Sequence, residues 1–288
     1  MARTKARPGR ERRSPTPAAG RKRSAIRHLK QAVVEDRLHL LYQPIVSARD
    51  FRVERVEALL RWRKPKRETE TLADLIWAAE RSPVIFKLEN WILDQSFRDA
   101  AGWKEAGLVG VRVNVNLSAR EFPRADLVAR VTRRLQATHL DPVHVGLEIT
   151  ETSSMRRFDE VAEQIRDLID KGIELWLDDF GTGHSSLGYL KRFPVNQLKV
   201  DRTFVRDLPH NGDDVAIARA VIAMAHSLRM SVVAEGVEHR QQFELLRSEG
   251  CDEFQGYFCR PPLEEAELMR FLAEERASRT ALRPTPVA

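Results

Sequence analysis

Short apolar, β-branched runs alternate with amphipathic stretches along most of this 288-residue chain. Residues 39–46, 51–62, 111–118, 144–150, 173–180, 197–201, 231–236 and 254–258 have the length and composition of strands. Between them, apolar side chains recur at helical spacing: Ile85, Leu88 and Ile92; Leu127, Val128, Val131 and Leu135; Phe158, Val161, Ile165 and Leu168; Ile217, Val221, Met224 and Leu228. Strand then helix, repeated, predicts parallel strands joined by right-handed crossovers. The strands are apolar on both faces, as in a sheet covered on both sides. About eight strands in roughly 250 residues fit an α/β fold closed into a (β/α)8 TIM-like barrel, with an open doubly wound sheet as the competitor. Only residues 47–50 separate the first two runs, too few for a helix. That pair is predicted to form an antiparallel hairpin, so the barrel carries one antiparallel strand at its start.

Composition changes this picture little. At 42% hydrophobic and 31% charged residues, the chain can bury a sizeable core, and wholesale disorder is excluded. No stretch approaches the ~18 apolar residues of a membrane span. No apolar segment follows the basic N-terminus, as a secretory signal would require. The two cysteines, Cys251 and Cys259, make neither a disulfide framework nor a zinc knuckle. Both are read as neutral thiols, and a reducing cytoplasm is the expected compartment.

Charge changes it more. Residues 1–23 hold nine Lys/Arg against Glu11 alone, so they carry +8 and the rest of the chain −2 of the net +6. With Pro8, Gly9, Pro15, Pro17 and Gly20 in the same stretch, residues 1–23 are read as a disordered basic tail. Contact with nucleic acid or an anionic membrane through that charge is the functional alternative. Residues 277–288, with Pro284 and Pro286, are read as a flexible C-terminal tail, which leaves 24–276 for one barrel.

The candidate chemistry lies at the strand ends. Glu57 follows Val56, Asn116 follows Val115, Glu148 follows Leu147, the pair Asp178-Asp179 follows Leu177, Lys199 follows Leu198, and Glu235 follows Ala234. A carboxylate in an apolar strand is costly to bury unless it is paired or bound to metal, and one alone is usually a structural ion pair. Here several strands carry one, and in a parallel barrel their C-terminal ends meet at one face. Glu57, Asn116, Glu148, Asp178, Asp179 and Glu235 form a hard, oxygen-rich set suited to Mg²⁺ or Mn²⁺ rather than zinc. Adjacent aspartates in a dry site need positive charge to stay ionised. Two divalent ions about 3.5–4 Å apart would supply it, and such a pair activates water and neutralises a phosphodiester under attack. Lys199 adds a cation that could orient the water. Asp179-Phe180-Gly181 echoes a kinase metal motif, but no glycine-rich strand loop or His-Arg-Asp loop accompanies it.

At these residues the chain resembles the EAL-domain family of cyclic di-GMP phosphodiesterases. Tyr42-Gln43-Pro44-Ile45, Glu57-Ala58-Leu59-Leu60-Arg61-Trp62, Asn116-Leu117-Ser118-Ala119-Arg120, Glu148-Ile149-Thr150-Glu151, Asp178-Asp179-Phe180-Gly181-Thr182-Gly183, Leu198-Lys199-Val200-Asp201, Ala234-Glu235-Gly236-Val237-Glu238 and Gln255-Gly256-Tyr257 match in order, over about residues 25–273. The resemblance implies an EAL-type catalytic barrel that hydrolyses one ester bond of cyclic di-GMP to give linear pGpG, with two Mg²⁺ or Mn²⁺ ions per site. It implies that Glu57, Asn116, Glu148 and Asp178 hold the first metal. Asp178 and Asp179, with Glu235 through water, hold the second. Lys199 and Gln255 position the attacking water, Gln43 and Arg61 contact the dinucleotide, and Glu151 anchors the loop after Asp179. A homodimer is the family expectation. Three departures stand out: Lys64-Pro65 leads into a charged loop with Leu75-Ile76-Trp77 where the family has Phe-Ile-Pro, His184 replaces an aromatic residue, and Arg260-Pro261-Pro262-Leu263 differs slightly from the usual end. The altered 64–77 loop motivates the alternative of a weakly active or inactive cyclic di-GMP receptor that signals through a protein partner.

Overall fold

The computed structural model describes residues 17–66, 69–108, 110–118, 126–150, 158–180 and 195–281. The side chains of 17–21, 150, 158–161, 179 and 278–281 are excepted. Eight strands close into one barrel in sequence order: β1 (Leu38–Ser47), β2 (Val53–Trp62), β3 (Arg112–Asn116), β4 (Val145–Thr150), β5 (Glu174–Phe180), β6 (Gln197–Val200), β7 (Ser231–Glu235) and β8 (Glu253–Gln255). Among the described residues the helices are α1 (Pro17–Val34), α2 (Leu72–Glu80), α3 (Val84–Glu105), α4 (Leu127–Thr138), α5 (Phe158–Asp170), α6 (Gly212–Ser227), α7 (Arg240–Ser248) and α8 (Glu265–Ala281). β1 runs antiparallel to both β2 and β8, and every other neighbouring pair is parallel. The barrel with one reversed strand is therefore the observed fold.

The short connection after β1 forms the expected hairpin. Ser47 donates its N–H to Arg52 O at 2.9 Å, and Phe51 donates to Ser47 O at 3.0 Å. Phe51 has φ 58°, a strained conformation for a bulky residue. Its ring packs 4.9 Å from Phe243 and 5.8 Å from Phe254, which offsets the strain with aromatic contact.

Most of the core lies between the strands' outer faces and the helices, where Val113, Leu147, Leu175, Leu198 and Val232 are fully buried. A second cluster joins α1, α2, α3 and the start of β1 through Ala25, Leu29, Leu38, Leu75, Ala79 and Leu88. This corrects the reading of the N-terminal segment: α1 starts at Pro17, so residues 17–23 are helical, while 1–16 lie outside the described residues. Ala25, Leu29 and Ala32 bury one face of α1, and Lys22 Nζ donates to Arg81 O at 2.8 Å. At the other end α8 runs to Ala281, past the expected boundary at 276, and 282–288 lie outside the described residues. On α6 the buried face is Ala218, Val221, Ile222 and Ala225 rather than the stripe through Ile217, which is 37% exposed. Small alanines let this helix approach the sheet, and a stripe counted from large side chains alone misses them. β8 ends at Gln255, short of the predicted 258. There Gly256 passes so close to Val237 that a Cβ would lie 2.1 Å from Val237 O.

Inside the barrel, alternate residues of each strand form layers. At the closed end, Arg55 bridges Glu174 and Glu253, the latter at 3.1 Å. Arg112 reaches Glu174 at 2.6 Å, and Gln197 donates to Glu253. Above this lies a thin apolar layer of Ile45, Trp176 and Val233. The layer above that is the open, C-terminal end of the parallel strands.

Two outcomes are expected from this packing. Arg55→Met leaves Glu253 without its cation and Glu174 with Arg112 alone, and should lower unfolding free energy by about 3 kcal/mol in urea titration; a loss below about 1 kcal/mol would show that solvent already screens the network. Cys251 is buried, and burial pushes its thiol up to about 12, so thiolate is scarce at pH 8. A thiol reagent at that pH should leave Cys251 unlabelled in the native protein and label it in urea; labelling at equal rates would contradict its burial.

Candidate active site

Period-two alternation sends Glu57 of β2, Glu148 of β4, Lys199 of β6 and Gln255 of β8 into the lumen, where each is 5% exposed or less. Lys199 Nζ is the centre. It lies 2.6 Å from Glu148 Oε2, 2.5 Å from Glu235 Oε1, 3.4 Å from Glu57 Oε2 and 3.6 Å from Asp178 Oδ1. Donors fix the surrounding carboxylates. Asn116 Nδ2 reaches Glu57 Oε1 at 2.6 Å, and Gln255 Nε2 reaches Glu57 Oε2 at 2.8 Å and Gln43 Oε1 at 3.0 Å. Gln43 Nε2 in turn donates to Arg260 O at 3.1 Å. Asn114 Nδ2 donates to Glu148 Oε1 at 2.8 Å.

Burial and charge pull against each other here. Burial alone would strip the Lys199 proton, but the surrounding carboxylates, Glu148 foremost, hold its pKa well above the usual lysine range. Burial pushes Glu148 well above the carboxylate range, and the charge of Glu57 adds to this. Glu235 is pushed up to about 7, again chiefly by burial. Burial also opposes ionisation of Glu57, but Lys199 and the amides of Gln255 and Asn116 outweigh it and hold Glu57 below its ordinary value. One ammonium thus serves more acids than it can neutralise.

The backbone at Asp178-Asp179 is irregular. Leu177 pairs with Leu198 and Phe180 with Val200, so β5 has one residue more than β6 across this interval. An unbroken strand sets adjacent side chains on opposite faces; a bulge lifts that constraint. Asp179 lies in this bulge, but its side chain is outside the described residues, as are Glu151 and His184 entirely.

A cavity of about 670 Å³ opens over the cluster, lined by Gln43, Glu57, Arg61, Asn116, Asp178, Glu235 and Gln255 among others. Arg202, Arg206 and His239, which the sequence reading did not single out, also line it, as do Glu238 and Tyr257, which it quoted only as motif ends. Arg202 belongs to a short helical turn, Arg202–Phe204, whose start Asp201 caps by accepting from Thr203 N at 2.8 Å. Within the Leu198-Lys199-Val200-Asp201 motif, one charged residue therefore enters the site and the other shapes the turn beyond it. Buried Gln242 ties two walls together. It donates to Val205 O and Arg206 O at 3.1 and 2.9 Å, and accepts from Glu238 N and His239 N at 2.8 Å each. Among the described residues, none from 64–77 lines the cavity; that segment leads into α2, which packs against α1.

An irregular (β/α)8 barrel with hard oxygen donors gathered at its C-terminal mouth defines a class of barrel proteins whose site offers the ligands that Mg²⁺-like cations take. Within that class the chain belongs to the EAL-domain family, whose profile, described as EAL domain, matches residues 26–262. It is 42% identical over 248 residues to "Cyclic di-GMP phosphodiesterase NbdA" of Pseudomonas aeruginosa, covering 86% of this chain and 32% of that protein. It is 38% identical over 248 residues to "Bifunctional diguanylate cyclase/cyclic di-GMP phosphodiesterase MucR" of the same organism, covering 86% of this chain and 36% of that one. The chain thus spans about a third of the length of these curated relatives. Among solved structures, "PaMucR Phosphodiesterase, c-di-GMP complex" matches with TM-score 0.81 and 38% identity, over 85% of this chain and 99% of that one.

Membership implies a divalent-metal-dependent mechanism. The donor set fits such an ion, because carboxylate and amide oxygens are present in excess over the one ammonium among them. Among the described residues, no three imidazole, thiol or carboxylate groups already stand in the spacing that clasps a cation. The carboxylates are drawn onto Lys199 instead. No helix among the described residues is long and apolar enough to cross a membrane.

Removing the central cation tests this balance. In metal-free buffer, Lys199→Met should lower the Tm more at pH 8 than at pH 5.5. Glu148 and Glu235 have raised folded-state pKa values, so their ionisation opposes folding as pH rises, and Lys199 is what supports their charged forms. A deficit that stays constant with pH would contradict the role of Lys199 as counterion.

Proposed function

We propose that this barrel is a metal-dependent cyclic di-GMP phosphodiesterase that hydrolyses one phosphodiester of the cyclic dinucleotide to give linear pGpG. The observation that supports this reading most is the convergence of Glu57, Glu148, Asp178 and Glu235 on Lys199 beneath a cavity large enough for a dinucleotide's reacting half. The names of NbdA and MucR, and of the ligand-bound relative, supply the substrate.

In this reading Glu57, Asn116, Glu148 and Asp178 hold one Mg²⁺ or Mn²⁺, and Asp178, Asp179 and Glu235 a second. When bound, such a pair supplies the positive charge that acidifies water and neutralises the phosphodiester as its bond breaks. The protein's own groups do the rest. Gln255 fixes Glu57 from one side and Asn116 from the other, so the carboxylate has little rotational freedom. Lys199, released in part from its carboxylates, orients the water that attacks phosphorus. The attacking oxygen forms the new P–O bond as the ribose oxygen departs and takes up a proton. Gln43 and Arg61, on the cavity wall, contact the dinucleotide, and Arg202 and Arg206 add positive charge where phosphates enter. Glu151 secures the segment after Asp179, and a homodimer belongs to the same reading.

Purified protein with Mg²⁺ or Mn²⁺ should convert cyclic di-GMP to pGpG, and Glu57→Ala or Asp178→Ala should reduce turnover by more than about 10²-fold. Tight binding with no pGpG under either metal would instead identify a receptor. Deleting residues 1–16, which stops short of the packed helix α1, should leave turnover unchanged; a large loss would tie the basic segment to catalysis.

A further inference from the structure

One buried group beside the cluster is not explained by packing. Asn114 lies two residues before Asn116 on β3, so both face the lumen. It is wholly buried, and its Nδ2 donates to Glu148 Oε1 at 2.8 Å. Its Oδ1 is buried with no hydrogen-bond partner. The amide thus leaves one buried polar atom unpaired while it makes a hydrogen bond to Glu148, an arrangement that filling the space would not require.

The neighbouring strand makes room for it. Gly146 of β4 pairs with Asn114 in register. A Cβ at Gly146 would lie 2.5 Å from Asn114 Oδ1 and 2.9 Å from Cγ. Gly146 is not among the glycines with positive φ, so its backbone conformation is open to any residue. What excludes a side chain there is the Asn114 amide, lying flat across the strand on its way to Glu148, two residues further along β4. Glu148 has one oxygen on Lys199 and the other on Asn114, and among the described residues these are its hydrogen-bond donors.

We propose that Asn114 and Gly146 act as a matched pair that positions Glu148 for the divalent cation, Asn114 as the hydrogen-bond donor and Gly146 as the gap that lets it reach. The inference rests on the metal-dependent reading above. Neither residue touches substrate; both act through Glu148. Partners of this kind commonly change metal affinity by about 10–100-fold when removed. The pairing also explains a glycine near the start of a buried strand, where it otherwise weakens the sheet.

The test is calorimetric titration of the purified, metal-stripped full chain with Mn²⁺, alongside thermal unfolding and steady-state kinetics. Asn114→Leu removes its own unpaired carbonyl but leaves Glu148 Oε1 without its donor, so it should fold with a modestly changed Tm and weaken Mn²⁺ binding by about tenfold or more. Its kcat should fall at limiting Mn²⁺ and recover at high Mn²⁺, with KM for the dinucleotide unchanged. Gly146→Ala should weaken Mn²⁺ binding likewise and lower the Tm. Asn114→Ala with Gly146→Ala should regain Tm over Gly146→Ala alone, without regaining Mn²⁺ affinity. If the wild-type protein binds no Mn²⁺, the metal-dependent reading fails. If it binds Mn²⁺ and either folded single variant binds it equally well, the pairing is wrong while the reading stands. If Asn114→Leu does not fold, the Gly146→Ala comparison decides alone.

Discussion

Everything at the mouth of this barrel depends on burying one ammonium among acids that outnumber it. Lys199 is as inaccessible as the core leucines, yet it touches carboxylates contributed by β2, β4, β5 and β7. Such an arrangement is poor value as stabilisation. Desolvation of each charge is costly, and a single cation cannot satisfy several acids. The raised pKa values of Glu148 and Glu235 express that shortfall. A site in this condition is primed for further positive charge, and a polyanionic substrate alone would worsen the imbalance. In the proposed reading, divalent cations and an oriented water would resolve it together, and the same cluster that is awkward for folding would serve phosphodiester chemistry.

The rest of the barrel is arranged to tolerate that burden. Ion pairing recurs at the opposite end, but there Arg55 and Arg112 are matched to Glu174 and Glu253, so charge is nearly balanced and the layer is structural. Ile45, Trp176 and Val233 separate the two polar layers. The two polar layers therefore differ in charge balance, since both place acids and a basic partner at lumen-facing strand positions. Where the walls must hold shape near the mouth, neutral groups serve: Gln242 joins the turns after β6 and β7 with all four hydrogen bonds made to backbone.

Much of this was legible in the sequence, for reasons that can be named. Strands with apolar outer faces and sharply placed acids announce themselves, so the eight strands, the reversed first strand and the convergence of Glu57, Glu148, Asp178 and Glu235 were accessible from pattern alone. Residues whose role depends on tertiary approach were not. Ala25 and Leu29 look unremarkable beside the Lys/Arg residues around them, and only packing against α2 and α3 shows that α1 is part of the folded body. Ile217 has the right chemistry for a buried face and the wrong size for a helix lying close to the sheet. The bulge at Asp178-Asp179 leaves no mark in composition, because it concerns how many residues oppose Val200 and Leu198. Arg202, Arg206 and His239 reach the cavity from turns, where no periodicity announces a face.

Asn114 shows how a signal can be present and still pass unread. Its spacing from Asn116 already places both on one face of β3, and the glycine opposite it in β4 was plain in the sequence. What was missing was the cross-strand register, which turns two unremarkable residues into donor and gap. Register is a property of the closed barrel, fixed by every strand at once, and no local window contains it. The unpaired Oδ1 then becomes informative, because it leaves the bond to Glu148 as the one side-chain hydrogen bond this amide makes among the described residues. A buried amide with an unpaired carbonyl, its hydrogen bond aimed at the carboxylate that also holds Lys199, is best understood through the carboxylate it orients.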